Sequence, residues 1–207
     1  MTRQEFIQNH TNDVLAATKG TGLFPSVVMA QMIIESADSN GVAGNGITAT
    51  QANNYFGIKA DSSWTGKKMA FSTPKDGQPT NYFRVYQSPV DSIADHTKFL
   101  QVNSRYPAAG VFSSATPEEQ IKAIAKAGYA EAPNYAQSII DLINSNNLKS
   151  LDSMLSGYKT IAFSKKHYIA IPIAAVAFLG LIYVGYKLLG GNGQKASISA
   201  APIANIV

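Results

Sequence analysis

From Tyr168 to Tyr186 the chain reads YIAIPIAAVAFLGLIYVGY, nineteen residues without one charged side chain. At about 1.5 Å per residue such a helix reaches roughly 28 Å, close to the hydrocarbon thickness of a bilayer. Its length, lack of charge and late position predict a transmembrane helix over 167–189 rather than a buried helix of a soluble core. Lys165 and Lys166 before the run and Lys187 after it stand as interface anchors, and Tyr168, Tyr183 and Tyr186 fall where an aromatic belt would lie. The run divides the 207 residues into a domain over 1–148, a connector over 149–166, the membrane helix and a tail of small residues expected to be flexible. Met1 to Phe6 is too polar for a secretory leader, and Thr2 with Glu5 forms a capping-box pattern, so the expected layout is a domain held by a C-terminal anchor. Lys159, Lys165 and Lys166 on one side balance Lys187 and Lys195 on the other too evenly to choose an orientation.

Punctuation organises the first 148 residues. A helix from Arg3 to Lys19 is ended by Gly20 and Gly22, and a second covers Pro25 to Ala37. Ser88-Pro89-Val90-Asp91 and Thr116-Pro117-Glu118-Glu119 each combine an N-cap residue, a proline at N1 and an acid at N3, so helices begin there. Gly128 closes the second of these, and another helix follows Pro133 with Ile139, Ile140, Leu142 and Ile143 apolar. Gly41, Gly44 and Gly46 make Asp38 to Thr50 a loop, while Lys67 to Val85 reads as a β-hairpin around Lys75-Asp76-Gly77. The expected class is mainly α (α+β), a helical domain with a small β-lobe, closing its own core by about Leu148.

Charge and composition remove several function classes. The net charge of +4 is not gathered into an Arg/Lys stripe with interleaved aromatics, which argues against nucleic acid and fits attraction to an anionic wall or lipid head groups. The absence of cysteine excludes disulfides and thiol catalysis. His10, His96 and His167 lack metal-ligand spacing, so neither metal nor other cofactor is expected.

Glu35 closes the apolar stretch Pro25 to Glu35, in which Val27, Val28, Ala30, Ile33 and Ile34 predict burial on most sides. A carboxyl group at the end of such a helix is held rigidly and partly desolvated, which raises its pKa as a general acid requires. A solvated or hydrogen-bonded structural glutamate is the competing reading. Five motifs bear on the choice: Gln31 with Glu35-Ser36, Asn53 to Lys59 (NNYFGIK), Phe83-Arg84-Val85-Tyr86, Asp91 to His96 (DSIADH) and Gly128 to Ala136 (GYAEAPNYA). In this order, over about residues 3–147, they resemble the peptidoglycan glucosaminidases of glycoside hydrolase family 73, which includes flagellar and autolysin enzymes. The resemblance implies a lysozyme-like fold and Glu35 as the acid catalyst.

That family also carries a second carboxylate in the β-lobe, where many members have Thr-x-Glu. This chain has Thr73-Pro74-Lys75 instead, and Asp76 is the nearest substitute, in competition with a plain turn role. Retaining and inverting glycosidases differ in carboxyl separation, about 5–5.5 Å against about 6.5–9.5 Å, and a route using the substrate's own acetamido group stays open beside them. The resemblance also places Tyr129 beside the cleft as a positioning or proton-handling residue. Gln31, Asn53, Asn54 and Tyr135 are candidate substrate contacts, Tyr135 with packing as its alternative. Tyr55, Phe56, Trp64, Tyr82 and Tyr86 offer flat faces for sugar rings, or for the core. The leading expectation is a membrane-anchored hydrolase cleaving β-1,4 bonds after N-acetylglucosamine in peptidoglycan glycan strands. A lytic transglycosylase on the same fold and a catalytically inactive wall-binding or structural membrane protein are the alternatives. A lipid bilayer and proteins of a membrane-containing virion or of a bacterial envelope are the expected further partners.

Overall fold

The computed structural model describes residues 1–71 and 80–163. The expected transmembrane helix and tail lie outside these residues, as do Thr73-Pro74-Lys75 and Asp76. Among the described residues no helix is long and apolar enough to cross a membrane.

The core is built around α2 (Pro25–Glu35), whose residues from Pro25 to Ile33 are all buried. Around it pack α1 (Arg3–Thr18), α6 (Pro117–Lys126), α7 (Tyr135–Ser145) and α8 (Lys149–Phe163), while α4 (Pro89–Val102) lies against α1. Each fully buried Val, Ile or Met on α2 contributes about 1.5–3 kcal/mol, so among the described residues this helix is firmly anchored. The capping signals read from sequence are present. Thr2 and Glu5 exchange both bonds of a capping box, Ser88 accepts from the Asp91 amide, and Thr116 accepts from the Glu119 amide.

Three stretches depart from the sequence reading. α2 stops at Glu35 rather than Ala37, because Ser36 turns its hydroxyl back onto the Met32 carbonyl (2.6 Å) and is fully buried there. The expected loop to Thr50 ends early in α3 (Ile47–Ala52). The stretch expected to be a connector begins as α8: Leu151 and Leu155 are buried, and Asp152 takes the Ser26 amide (2.8 Å) and hydroxyl (2.7 Å). Phe24, the residue preceding α2, has no capping side chain of its own, so Asp152, 126 residues after Ser26, satisfies the helix start and complements its dipole.

The β-lobe pairs β1 (Lys68–Ala70) antiparallel to β2 (Tyr82–Arg84), with Lys68 opposite Arg84 and Ala70 opposite Tyr82. A two-stranded ribbon is marginal alone. Here residues 58–60 line the other side of β2, through Arg84 N–H to Ile58 O (3.0 Å) and Ala60 N–H to Tyr82 O (2.8 Å). Asn54 ties this edge down from inside, its amide nitrogen donating to the Ile58 and Arg84 carbonyls (2.9 Å each) and its oxygen accepting from the Ile58 amide (3.0 Å). Packed against α4 and α6, α5 (Arg105–Ala108) and a 3-10 turn (Val111–Ser113) complete the described elements.

Candidate active site

Glu35 is held from both sides of the chain. On its C-terminal side Ser36 Oγ accepts from the Gly44 amide (2.8 Å), and the Ser36 carbonyl accepts from the Gly46 amide (2.8 Å). A β-carbon at Gly46 would stand 2.8 Å from that carbonyl, so glycine is required for the loop to close on the helix end. On its other side Tyr135, the first residue of α7, donates its hydroxyl proton to Glu35 Oε1 (3.0 Å) and accepts from Gln31 Nε2 (3.0 Å). Gln31 lies one turn before Glu35 and is fully buried, and its Oε1 meets no donor among the described residues.

The Glu35 carboxyl is half-buried, and desolvation pushes its pKa above the ordinary glutamate range, with the Tyr135 hydrogen bond as a smaller opposing influence. It opens into a cleft of about 510 Å³, also lined by Phe56, Gly57, Ile58, Lys59, Asp61, Arg84, Phe99, Arg105, Tyr106, Tyr129 and Ala130. Tyr129 follows Gly128, whose φ of +78° ends α6 and turns the tyrosine inward. Its ring stacks on Tyr135 (5.6 Å between centroids, 24° between planes) and meets His96 edge-on at 5.8 Å. His96 in turn stacks on Phe56 (4.0 Å, 9°); it is fully buried with neither ring nitrogen bonded among the described residues, and burial pulls its pKa down to about 3, so it is a neutral wall. Burial also raises the phenols of Tyr129 and Tyr135, helped by the neighbouring Glu35, which keeps both as proton donors at neutral pH.

Of the residues singled out from sequence, Glu35, Phe56 and Tyr129 line this cleft. Seven others do not line it, and Tyr135 meets it only through the Glu35 carboxyl. Gln31 is enclosed by the helices and reaches the carboxyl only through Tyr135, itself 6% exposed. Asn53 takes the left-handed C-cap of α3 (φ 50°) and bonds the Tyr86 and Gln87 carbonyls, and Asn54 is the buried clamp of the β-lobe edge. Tyr55 points away, against His10 (5.1 Å) and Phe6 (6.2 Å). Trp64 and Tyr86 line a separate hollow of about 560 Å³ with Lys67, Gln87 and Asp91, and the Tyr86 hydroxyl is spent on Asp95 (2.6 Å). Tyr82 is exposed beneath the Lys68 ammonium (5.0 Å).

The cleft also holds residues that sequence reasoning left without a role. Arg84 donates to Asp95 (2.8 Å), Asp61 (3.4 Å) and the Lys59 carbonyl (3.2 Å) and lies over the Trp64 ring (4.6 Å). Its motif, Phe-Arg-x-Tyr, was visible, and so was the DSIADH motif that holds Asp95, but the pairing between them was not. Asp61 adds a second carboxyl, exposed and held below the usual range by the Ser63 hydroxyl (2.6 Å) and amide (2.9 Å). Arg105 and Tyr106 carried no signal beyond an aromatic beside a base. Among the described residues no three acidic, histidine or cysteine side chains are grouped to hold a metal.

A family model described as mannosyl-glycoprotein endo-beta-N-acetylglucosaminidase matches residues 11–148. The chain is 36% identical over 131 residues to the peptidoglycan hydrolase FlgJ of Vibrio parahaemolyticus, covering 61% of this chain and 42% of that one. It is 26% identical over 165 residues to the exo-glucosaminidase LytG of Bacillus subtilis, covering 77% and 57%. The chain thus spans about half the length of the curated relatives it matches. Among solved structures, the catalytic domain of the Listeria monocytogenes autolysin Auto superposes with a TM-score of 0.59 at 27% identity, over 72% of this chain and 87% of that one. The glycoside hydrolase domain of Salmonella typhimurium FlgJ gives 0.56 at 27% identity, over 80% and 100%. The fold is the mainly helical, lysozyme-like one of these enzymes, with its small sheet, and the chain belongs to the glucosaminidase family of glycoside hydrolases.

Proposed function

We propose that the chain hydrolyses the β-1,4 bond after N-acetylglucosamine in peptidoglycan, with Glu35 as the acid. The observation that carries this reading is a half-buried carboxyl with a raised pKa, fixed at a rigid helix end and open to a cleft. A proton count adds direction. The Gln31 amide nitrogen donates to the Tyr135 oxygen, so the one phenolic proton goes to Glu35 Oε1. Oε1 therefore acts as an acceptor, and the proton for the leaving oxygen sits on Oε2. Tyr135 and Gln31 are positioning residues in this scheme, while Tyr129, on the cleft wall, is in reach of the sugar.

As the C1–O4 bond breaks, Oε2 gives its proton to the departing oxygen, and the resulting carboxylate later takes one from the attacking water. Positive charge developing at C1 is met by Asp76, by Asp61 or by the substrate's acetamido oxygen; the ionised, cleft-lining Asp61 supports adding it to the two candidates read from sequence. A transglycosylase would need the same acid and differ in having no water step. The apolar run from Tyr168 to Tyr186 further supports attachment to a bilayer, with a virion membrane or a bacterial envelope as the setting.

The test is Glu35→Gln on purified peptidoglycan, with fragments identified by mass spectrometry. Loss of more than about tenfold in rate, over 1.4 kcal/mol, with reducing-end N-acetylglucosamine in the wild-type digest, is expected. Anhydro-muramic ends would replace hydrolysis by transglycosylation, and an unaffected variant would remove Glu35 from the chemistry.

A further inference from the structure

We infer that Arg105 is a carboxylate-binding residue of the cleft, taking the acidic group carried by the muramic acid beside the scissile bond. The inference rests on the peptidoglycan reading above. Among the described residues three cations line the cleft, and they differ in what they face. Arg84 is committed to Asp95 and Asp61. Lys59 and Arg105 have no carboxylate partner among the described residues, and Arg105 is the one held in a fixed pose.

The pose comes from Tyr106. The guanidinium lies over its ring at 4.7 Å and donates from Nη2 to its hydroxyl at 2.7 Å. Tyr106 is fully buried, and its ring neighbours are Phe99 (5.8 Å) and Tyr129 (6.3 Å), the latter stacked on the tyrosine that bonds Glu35. A β-carbon on Gly128 would stand 3.7 Å from Arg105 Nη1, so the loop that carries Tyr129 also runs beside the guanidinium. An ordinary surface arginine samples many rotamers. This one has surrendered that freedom before any ligand arrives, which lowers the entropy lost on binding.

One of its five N–H donors is used by Tyr106, leaving a planar fork suited to a carboxylate. Glu35, neutral when ready to act, does not compete for it. N-acetylglucosamine is uncharged, whereas muramic acid bears a lactyl group whose carboxylate is free in bare strands and amide-linked in strands that carry a peptide, the peptide then supplying the acid. A fixed cation here selects acidic strands over neutral chitin-like ones.

The experiment measures kcat and KM of wild type, Arg105→Gln and Arg105→Lys on three substrates: peptide-bearing strands, bare strands, and bare strands whose carboxylates are reduced to alcohols. KM for Arg105→Gln is expected to rise roughly tenfold or more on acidic strands with kcat nearly unchanged, Arg105→Lys falling between. On reduced strands the three proteins are expected to coincide. A rise on bare strands identifies the lactyl carboxylate; a rise confined to peptide-bearing strands identifies the peptide's. Equal losses on all three substrates, or none, would overturn the inference and leave the peptidoglycan reading intact. A wild type inactive on every strand would overturn both.

Discussion

Tyr135→Phe deletes one oxygen, and its consequences can be worked out at both ends of the hydrogen bonds it breaks. At Glu35 the lost bond favoured the ionised carboxylate and opposed the effect of burial. Without that bond the acid stays protonated to higher pH, and the alkaline limb of the rate profile moves up. At the plateau, Oε1 is no longer tied and the carboxyl rotates freely, which lowers kcat by roughly ten- to a hundredfold. At Gln31 the amide nitrogen is left buried without an acceptor, costing about 1–3 kcal/mol of stability. For a domain of this size that is a melting point lower by roughly 3–10 °C. The assay is release of soluble fragments from purified peptidoglycan between pH 4 and 9, with melting curves beside it. An alkaline limb that stayed in place or moved down would refute the proton count, and a rise in KM with an unmoved limb would return Tyr135 to the role of substrate contact.

Glu35→Gln should also melt higher than wild type at neutral pH. A carboxyl whose folded pKa is raised binds more protons in the native state than in the unfolded one, so stability falls as pH rises through the interval from 4.5 to the folded value. The gap should open across that interval and close below it; a variant less stable than wild type at neutral pH would count against the desolvated carboxyl. Chain length gives a separate test. A chain ending at Ser150 loses Leu151 and Leu155, about 1.5–3 kcal/mol each, and the Asp152 bonds to Ser26 at the start of α2, about 1–3 kcal/mol more. It should melt far below a chain ending at Phe163 or fail to fold, and equal melting points would show that α8 is dispensable.

Signals carried by neighbouring residues were legible in the sequence, and signals carried by distant ones were not. Ser88, Thr116 and Thr2 announced helix starts because a cap acts within three residues. Glu35 stood out as a carboxyl ending an apolar helix, and the five motifs decided its role. Gln31 was a candidate substrate contact through its motif alone, and nothing near it in sequence showed what it bonds. Its partner is Tyr135, 104 residues on. The start of α2 hid its cap in Asp152, and the stretch after Leu148 read as a connector because its burial depends on α2 rather than on its own pattern. The asparagines of the NNYFGIK motif carry a different kind of information. Both bond backbone carbonyls of the β-lobe and its exit, so the motif reports how a loop is shaped more than what it touches.

Arg84 joins the ribbon to α4 through Asp95 and to the loop before β1 through Asp61, so the far wall of the cleft is fastened to the helices by a few side chains. Glycan strands differ among bacterial walls in cross-linking and in the groups their sugars carry. A lineage confronting a new wall can change the Arg84–Asp95 tie, and so reset the width of the groove while Glu35 and its support are inherited untouched. The architecture separates what must be kept from what can be varied, and the boundary between them runs through one guanidinium.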